Sequence, residues 1–118
     1  MRWASGVLAV ALLTSGCGSS TEDLARQAAD RFESALESGQ ANEICALLTD
    51  NAARKLDCST VNLPHATVRE VHVWGDAAQA RAGDDTLFLR ELAVGWRISG
   101  AGCKRDNERP YQCEVGGP

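Results

Sequence analysis

The chain has 118 residues, 44% of them apolar and 24% charged, with a formal net charge of −4. That length supports one domain at most, and an acidic balance without a concentrated run of Lys and Arg excludes nucleic acid as a partner. Segments of regular apolar periodicity in a chain of this composition bury a core, which excludes a disordered tail.

The chain opens on Arg2, an uncharged apolar run from Trp3 to Leu13, and the small residues Ser15 and Gly16 ahead of Cys17. These are the parts of a secretory signal. The run is shorter than the roughly 20 apolar residues that a helix needs to cross a bilayer. Leu13-Thr14-Ser15-Gly16-Cys17 resembles the lipobox of bacterial lipoproteins, with Thr14 standing where Leu is favoured. The resemblance implies that residues 1–16 are a signal peptide cut before Cys17, that the Cys17 thiol is diacylglycerated, and that the new amine is open to acylation. An ordinary secretory signal with a coincidental Cys is the competing reading. On the lipoprotein reading, residues 17–21 are the lipidated Cys and a short polar tether. Residues 22–118 are then a single domain at the extracytoplasmic face of the cell membrane. Each buried methylene contributes about 0.8 kcal/mol, so two or more acyl chains hold stably where one does not.

Beyond residue 16 the chain carries 11 basic and 16 acidic side chains, and only 22 of its apolar residues are large, against 15 Ala and 5 Cys. So thin a core calls for covalent staples. With Cys17 committed to lipid, four cysteines remain: Cys45, Cys58, Cys103 and Cys113. Three disulfide pairings are then possible. The pairing of sequence neighbours, Cys45–Cys58 and Cys103–Cys113, is preferred because each pair flanks one local loop, and the two crossed pairings stay open. Zinc is the alternative use of these residues. No C-x-x-C knuckle occurs, and His65 and His72 lie seven apart, off helical ligand spacing. Neither a metal nor a cofactor is expected.

The elements follow in chain order. Ser19-Ser20-Thr21-Glu22 is an S-x-x-E capping pattern, and Leu24, Ala28, Phe32, Ala35 and Leu36 recur at helical spacing up to a stop at Ser38-Gly39. A second helix is expected over Ala41–Leu48, and a short third one, capped by Thr49 or Asp50, carries Ala52, Ala53 and Leu56. Asp57 to His65 reads as a loop. From Thr67 the period changes to two. Thr67–Trp74 puts Val71 and Val73 on one face and Val68, His72 and Trp74 on the other. Gly75-Asp76 turns into Ala77–Ala82, and Gly83-Asp84-Asp85 turns into Thr86–Leu92, with Leu87 and Leu89 opposite Phe88, Arg90 and Leu92. Trp96-Arg97-Ile98 completes four short strands. Gly100–Pro118 reads as a glycine-rich tail bracketed by Cys103 and Cys113. Helices first and strands second give an α+β fold, with N-terminal helices packed on an antiparallel β-meander.

That order of elements resembles the nuclear-transport-factor-like fold, also used by ketosteroid isomerase, in which helices lie against a curved sheet that forms a cone. Trp74-Gly75-Asp76, Gly83-Asp84-Asp85-Thr86-Leu87-Phe88-Leu89, Gly95-Trp96-Arg97, Gly102-Cys103 and Pro110-Tyr111-Gln112-Cys113 are similar to a family of small bacterial lipoproteins of unassigned function. The similarity runs from about Leu24 to Gly117. It implies a cone-like domain, but Asp57 to Ala66 is short for the extra helix or strand that closes the cone elsewhere, so the cone is expected to be poorly closed and the depth of any pocket stays open.

Candidate chemistry is sparse. Asp84-Asp85 sit side by side on an extended chain, where neighbouring side chains point apart, and read as turn residues. His72 shares a predicted face with Glu70 and Trp74, a geometry open to general-base chemistry but more usual for a solvated strand residue. His65 follows Pro64 in the loop. Trp74 and Trp96 are expected in the core or at the sheet rim. Lys104, Arg105 and Arg109 form a basic patch interleaved with Asp106 and Glu108. No nucleophile elbow or phosphate loop is present, so no catalytic residue is assigned. The expected function is a lipid-anchored extracytoplasmic binding or interaction module, its partners being the membrane through the anchor and a protein or small apolar ligand. An isomerase- or dehydratase-like enzyme using the cone, and a structural envelope protein, are the alternatives.

Overall fold

The computed structural model describes residues 20–54, 56–106 and 109–118. Helix α1 (Thr21–Ser38) starts one residue later than the capping pattern indicated. The cap is Ser20, whose Oγ accepts the Asp23 backbone N–H at 3.1 Å, and Glu22 and Asp23 lie at the positive end of the helix dipole. Gly39, at φ 66°, ends it in the left-handed conformation that glycine adopts without strain. Helix α2 (Ala41–Leu47) and the single turn α3 (Asp50–Ala53) follow, the latter capped by Thr49 Oγ1. A 3-10 turn at Cys58–Thr60 interrupts the expected loop; the Asp57 carboxylate accepts both the N–H and the hydroxyl of Ser59, which holds its pKa below the usual value.

Five strands then form one antiparallel sheet in sequence order: β1 (Val68–Trp74), β2 (Ala77–Ala82), β3 (Asp85–Leu92), β4 (Gly95–Asp106) and β5 (Arg109–Gly116). The fold is α+β, as the pattern indicated. The tail, however, is not a loop. Gly100 and Gly102 continue β4, and residues from Arg109 return beside it as a fifth strand, with Cys103 directly opposite Cys113. The register slips twice along β4 against β3, between Thr86 and Phe88 and again between Phe88 and Leu89. Such irregularities bend a sheet, and glycine at these points signalled a loop to a reader of sequence alone.

The helices cover one face. Helix α1 crosses the sheet over β1 to β4, α2 packs on α1, and α3 sits over β4 and β5. Phe32, Ile44, Leu89 and Ile98 are buried to 2% exposure or less at the centre. Around them Val71, Ala78, Ala80 and Leu87 project inward from alternate strand positions. Two expected faces are corrected. The α1 stripe is rotated: Ala25 and Ala29 are fully buried, whereas Leu24 is 42% exposed. Alanine lets the helix axis approach the sheet closely, and Leu at the edge of the contact is left over. In β1 a register shift between Val68 and Glu70 places Val68 on the buried side with Val71.

Both disulfides join sequence neighbours. Cys45–Cys58, with Cα atoms 5.8 Å apart, ties α2 to the 3-10 turn, and Cys103–Cys113 bridges β4 and β5. The link between α2 and α3 is pinned to the sheet as well, since Thr49 N–H donates to the Ile98 carbonyl at 2.8 Å.

Candidate functional site

Among the described residues no helix packs on the other face of the sheet, and the β5 edge reaches over part of it, where Thr86 is 5% exposed. Alternation along β1, β2 and β3 places Glu70, His72, Trp74, Gln79, Arg81, Phe88 and Arg90 there. Register lines His72, Gln79 and Phe88 up in one row across three strands. Register carries that row on to Gly100 and Gly116, and Tyr111, further along β5, reaches back over it. Its ring meets Phe88 edge-on at 5.0 Å between centroids, and its hydroxyl accepts from Gln79 Nε2 at 3.3 Å. At the other end of the row His72 stacks near Trp74, with centroids 6.0 Å apart. The row is graded: Gln79, Phe88 and Tyr111 are half-buried, and His72 and Trp74 are exposed. An aromatic row of this kind offers apolar area together with hydrogen-bonding edges.

A second feature lies under the helices, where sequence reading placed nothing. Glu33 is 8% exposed, and its Oε1 accepts the Ala66 N–H at 2.8 Å, fastening α1 to the segment that enters β1. Burial pushes its pKa up to about 7; the Ala66 hydrogen bond works against that, and the nearby Asp85 charge adds to it. The carboxyl borders an open cleft of 490 Å³ with Asp30, Glu37, His65 and Thr67. The signal was present: residues 25, 29, 32, 33 and 36 share one helical face, and a Glu within such a stripe must be buried or break it.

Asp84 and Asp85 separate as extended geometry requires. Asp84 is exposed, while Asp85 is 9% exposed, its pKa raised by burial and opposed by Lys104, whose Nζ lies 3.9 Å away. His72 stands on the uncovered face with Glu70 and Trp74, as alternation indicated, and is exposed there. His65 borders the Glu33 cleft instead, so the two histidines are on opposite sides of the sheet. Trp96 is in the core at 5% exposure, and Trp74, at 59%, is not. Of the basic patch, Lys104 and Arg105 are exposed. The side chains of Arg109, Asp106 and Glu108 lie outside the described residues, as does Cys17. No group of three His, Cys, Asp or Glu side chains is arranged to hold a metal among the described residues.

A hollow of 530 Å³, open to solvent, is bordered by Thr49, Asn51, Arg90, Ser99 and Gly116. Among the described residues no helix is long and apolar enough to cross a membrane. Comparison with protein-family models, with curated proteins and with solved structures returned no match.

Proposed function

We propose that this chain is a lipid-anchored extracytoplasmic binding module, held to the cell membrane through Cys17, that takes a protein segment or a small apolar ligand on the uncovered sheet face. The observation that carries the reading is the row His72–Gln79–Phe88 with Tyr111 packed against it, aromatic area on a sheet face that no described helix covers. The curved five-stranded sheet with α1 across it supports a shallow variant of the cone of nuclear-transport-factor-like domains, its inside filled by Phe32, Leu89 and Ile98. The tethering cysteine supports placement outside the cytoplasm, where the two disulfides persist.

The test is photo-crosslinking on intact cells with benzoylphenylalanine in place of His72 and, as control, of Glu37 on the exposed side of α1. A partner captured from position 72 alone, and bound in purified form at least about tenfold more weakly by Tyr111→Ala, supports the reading. Equal capture from both positions contradicts it. One observation favours a second reading. A buried carboxyl titrating near 7 in an open cleft is poised for proton transfer, so Glu33 is the residue on which an isomerase- or dehydratase-like activity would turn. Turnover of small carbonyl or steroid-like substrates that disappears in Glu33→Gln would establish it.

A further inference from the structure

In a simple meander the β1–β2 and β3–β4 turns fall at the same end of the sheet, and here they touch: Glu91 N–H donates to the Asp76 carbonyl at 2.8 Å. The β3–β4 turn is unusual in chemistry. Hairpin tips are normally polar, yet this one reads Leu92-Ala93-Val94-Gly95, with Leu92 43% and Val94 68% exposed. Trp74, 59% exposed, closes β1 beside it. Leu24 of α1, 42% exposed, borders one hollow of 230 Å³ with Val94 and Trp96. Leu24, Trp74, Leu92 and Val94 are the exposed large apolar side chains among the described residues, and all four gather at this end. The opposite end carries the Gly83-Asp84 turn, with Asp84 exposed.

Charge does not explain the cluster. Arg31, Arg90 and Arg97 stand around it, but so do Asp76 and Glu91, and Arg90 is paired with Asp76 at 3.6 Å. Glu22 and Asp23 in the first turn of α1 add further acid. The partner is therefore one that takes apolar and aromatic side chains without needing net charge.

Chain length says which partner. Three residue steps separate Cys17 from the helix cap Ser20, and an extended chain spans at most about 3.3–3.6 Å per residue, so α1 begins within roughly 11 Å of an acylated Cys17. Leu24 lies one turn further on. A domain tied that closely cannot hold its Leu24 end far from the bilayer surface.

We propose that this end of the domain rests on the membrane, with Leu24, Trp74, Leu92 and Val94 seated at the lipid headgroup and upper acyl level. The proposal rests on the lipid-anchor reading. It fixes the orientation of the molecule: the sheet stands with its turns in the interface, and the His72–Gln79–Phe88 row faces sideways along the membrane surface. Trp is the side chain most at home at that depth.

The test uses the chain extracted from membranes, its mass determined, and reconstituted into phosphatidylcholine vesicles brominated near the top of the acyl chains. Beyond residue 16 the chain has two tryptophans, Trp74 and the buried Trp96, which serves as internal reference. Emission is expected to fall about twofold on bromination, with little change when salt is raised, because interfacial tryptophan sits at the quencher's depth and charge plays no part. Trp74→Phe should abolish the quenching. Leu92→Asp combined with Val94→Asp, both exposed and so compatible with folding, should reduce it while leaving the mass added by the lipid unchanged. A lipidated chain whose Trp74 is untouched by bromolipid but open to aqueous acrylamide overturns the docking and leaves the anchor standing. A Trp74 shielded from acrylamide yet unaffected by bromolipid overturns it in favour of a protein partner or a second copy. An unlipidated chain overturns anchor and docking together.

Discussion

Glu33→Gln is expected to stabilise the domain at alkaline pH and to remove a pH dependence that the native chain has. The native carboxyl titrates near 7 instead of 4.5, because burial disfavours its charge. Between those values the folded chain keeps a proton that the unfolded chain has released, so the carboxyl's contribution to stability declines as pH rises from about 4.5 through 7. This is the reverse of a salt-bridged carboxylate. A shift from 4.5 to about 7 corresponds to about 3 kcal/mol, reduced to about 2 because the cleft at the carboxyl is open to water. The substituted amide keeps an oxygen to accept the Ala66 N–H and carries no charge at any pH. Urea unfolding followed by circular dichroism at pH 5, 6, 7 and 8, with both disulfides intact, measures the difference between the two chains. Asp85, whose pKa is also raised by burial, acts in both and largely cancels. The variant should match the native chain closely at pH 5 and exceed it by about 2 kcal/mol at pH 8. Parallel stability curves, or a variant weaker by the same amount at every pH, would refute the burial argument.

Non-reducing peptide mapping should return Cys45 linked to Cys58 and Cys103 linked to Cys113, and replacing either pair with Ser should cost about 2–5 kcal/mol in denaturant unfolding. Gly102→Ala should cost about 1–3 kcal/mol by the same assay: φ there is 65°, and a Cβ would lie 2.7 Å from Leu63 Cδ2. A neutral result would mean that the backbone at that irregular point of β4 differs from the one described. Phe32→Ala, emptying a side chain with 0% exposure beneath α1, should cost about 3–5 kcal/mol and lower the melting temperature accordingly.

The strands β1 to β3 and the turns at Gly75-Asp76 and Gly83-Asp84 were legible because period-two alternation and turn chemistry act locally. So was the pairing preference among the cysteines, which rests on short loops. What sequence misplaced was set by neighbours in space. Leu24 outranks Ala25 in hydrophobicity, yet close approach of α1 to the sheet favours the smaller side chain, and the buried stripe turns accordingly. One register shift in β1 reverses the side on which Val68 lies. Strand β5 was hidden because its partner β4 is rich in glycine and is held to it by a cross-strand disulfide, a pairing no periodicity reports. Glu33 shows the converse. Its position in the α1 stripe was readable, but its consequence depended on Ala66 and Asp85, which lie 33 and 52 residues away in sequence.

Anchoring through Cys17 underlies both the proposed function and the proposed membrane contact, and the intact mass of the chain extracted from membranes tests it most directly. A mass equal to residues 17–118 plus a diacylglyceryl group, with or without one further acyl chain, and with both disulfides formed, is the expected result. A full-length mass, or a secreted chain whose Cys17 reacts as a free thiol, would contradict it.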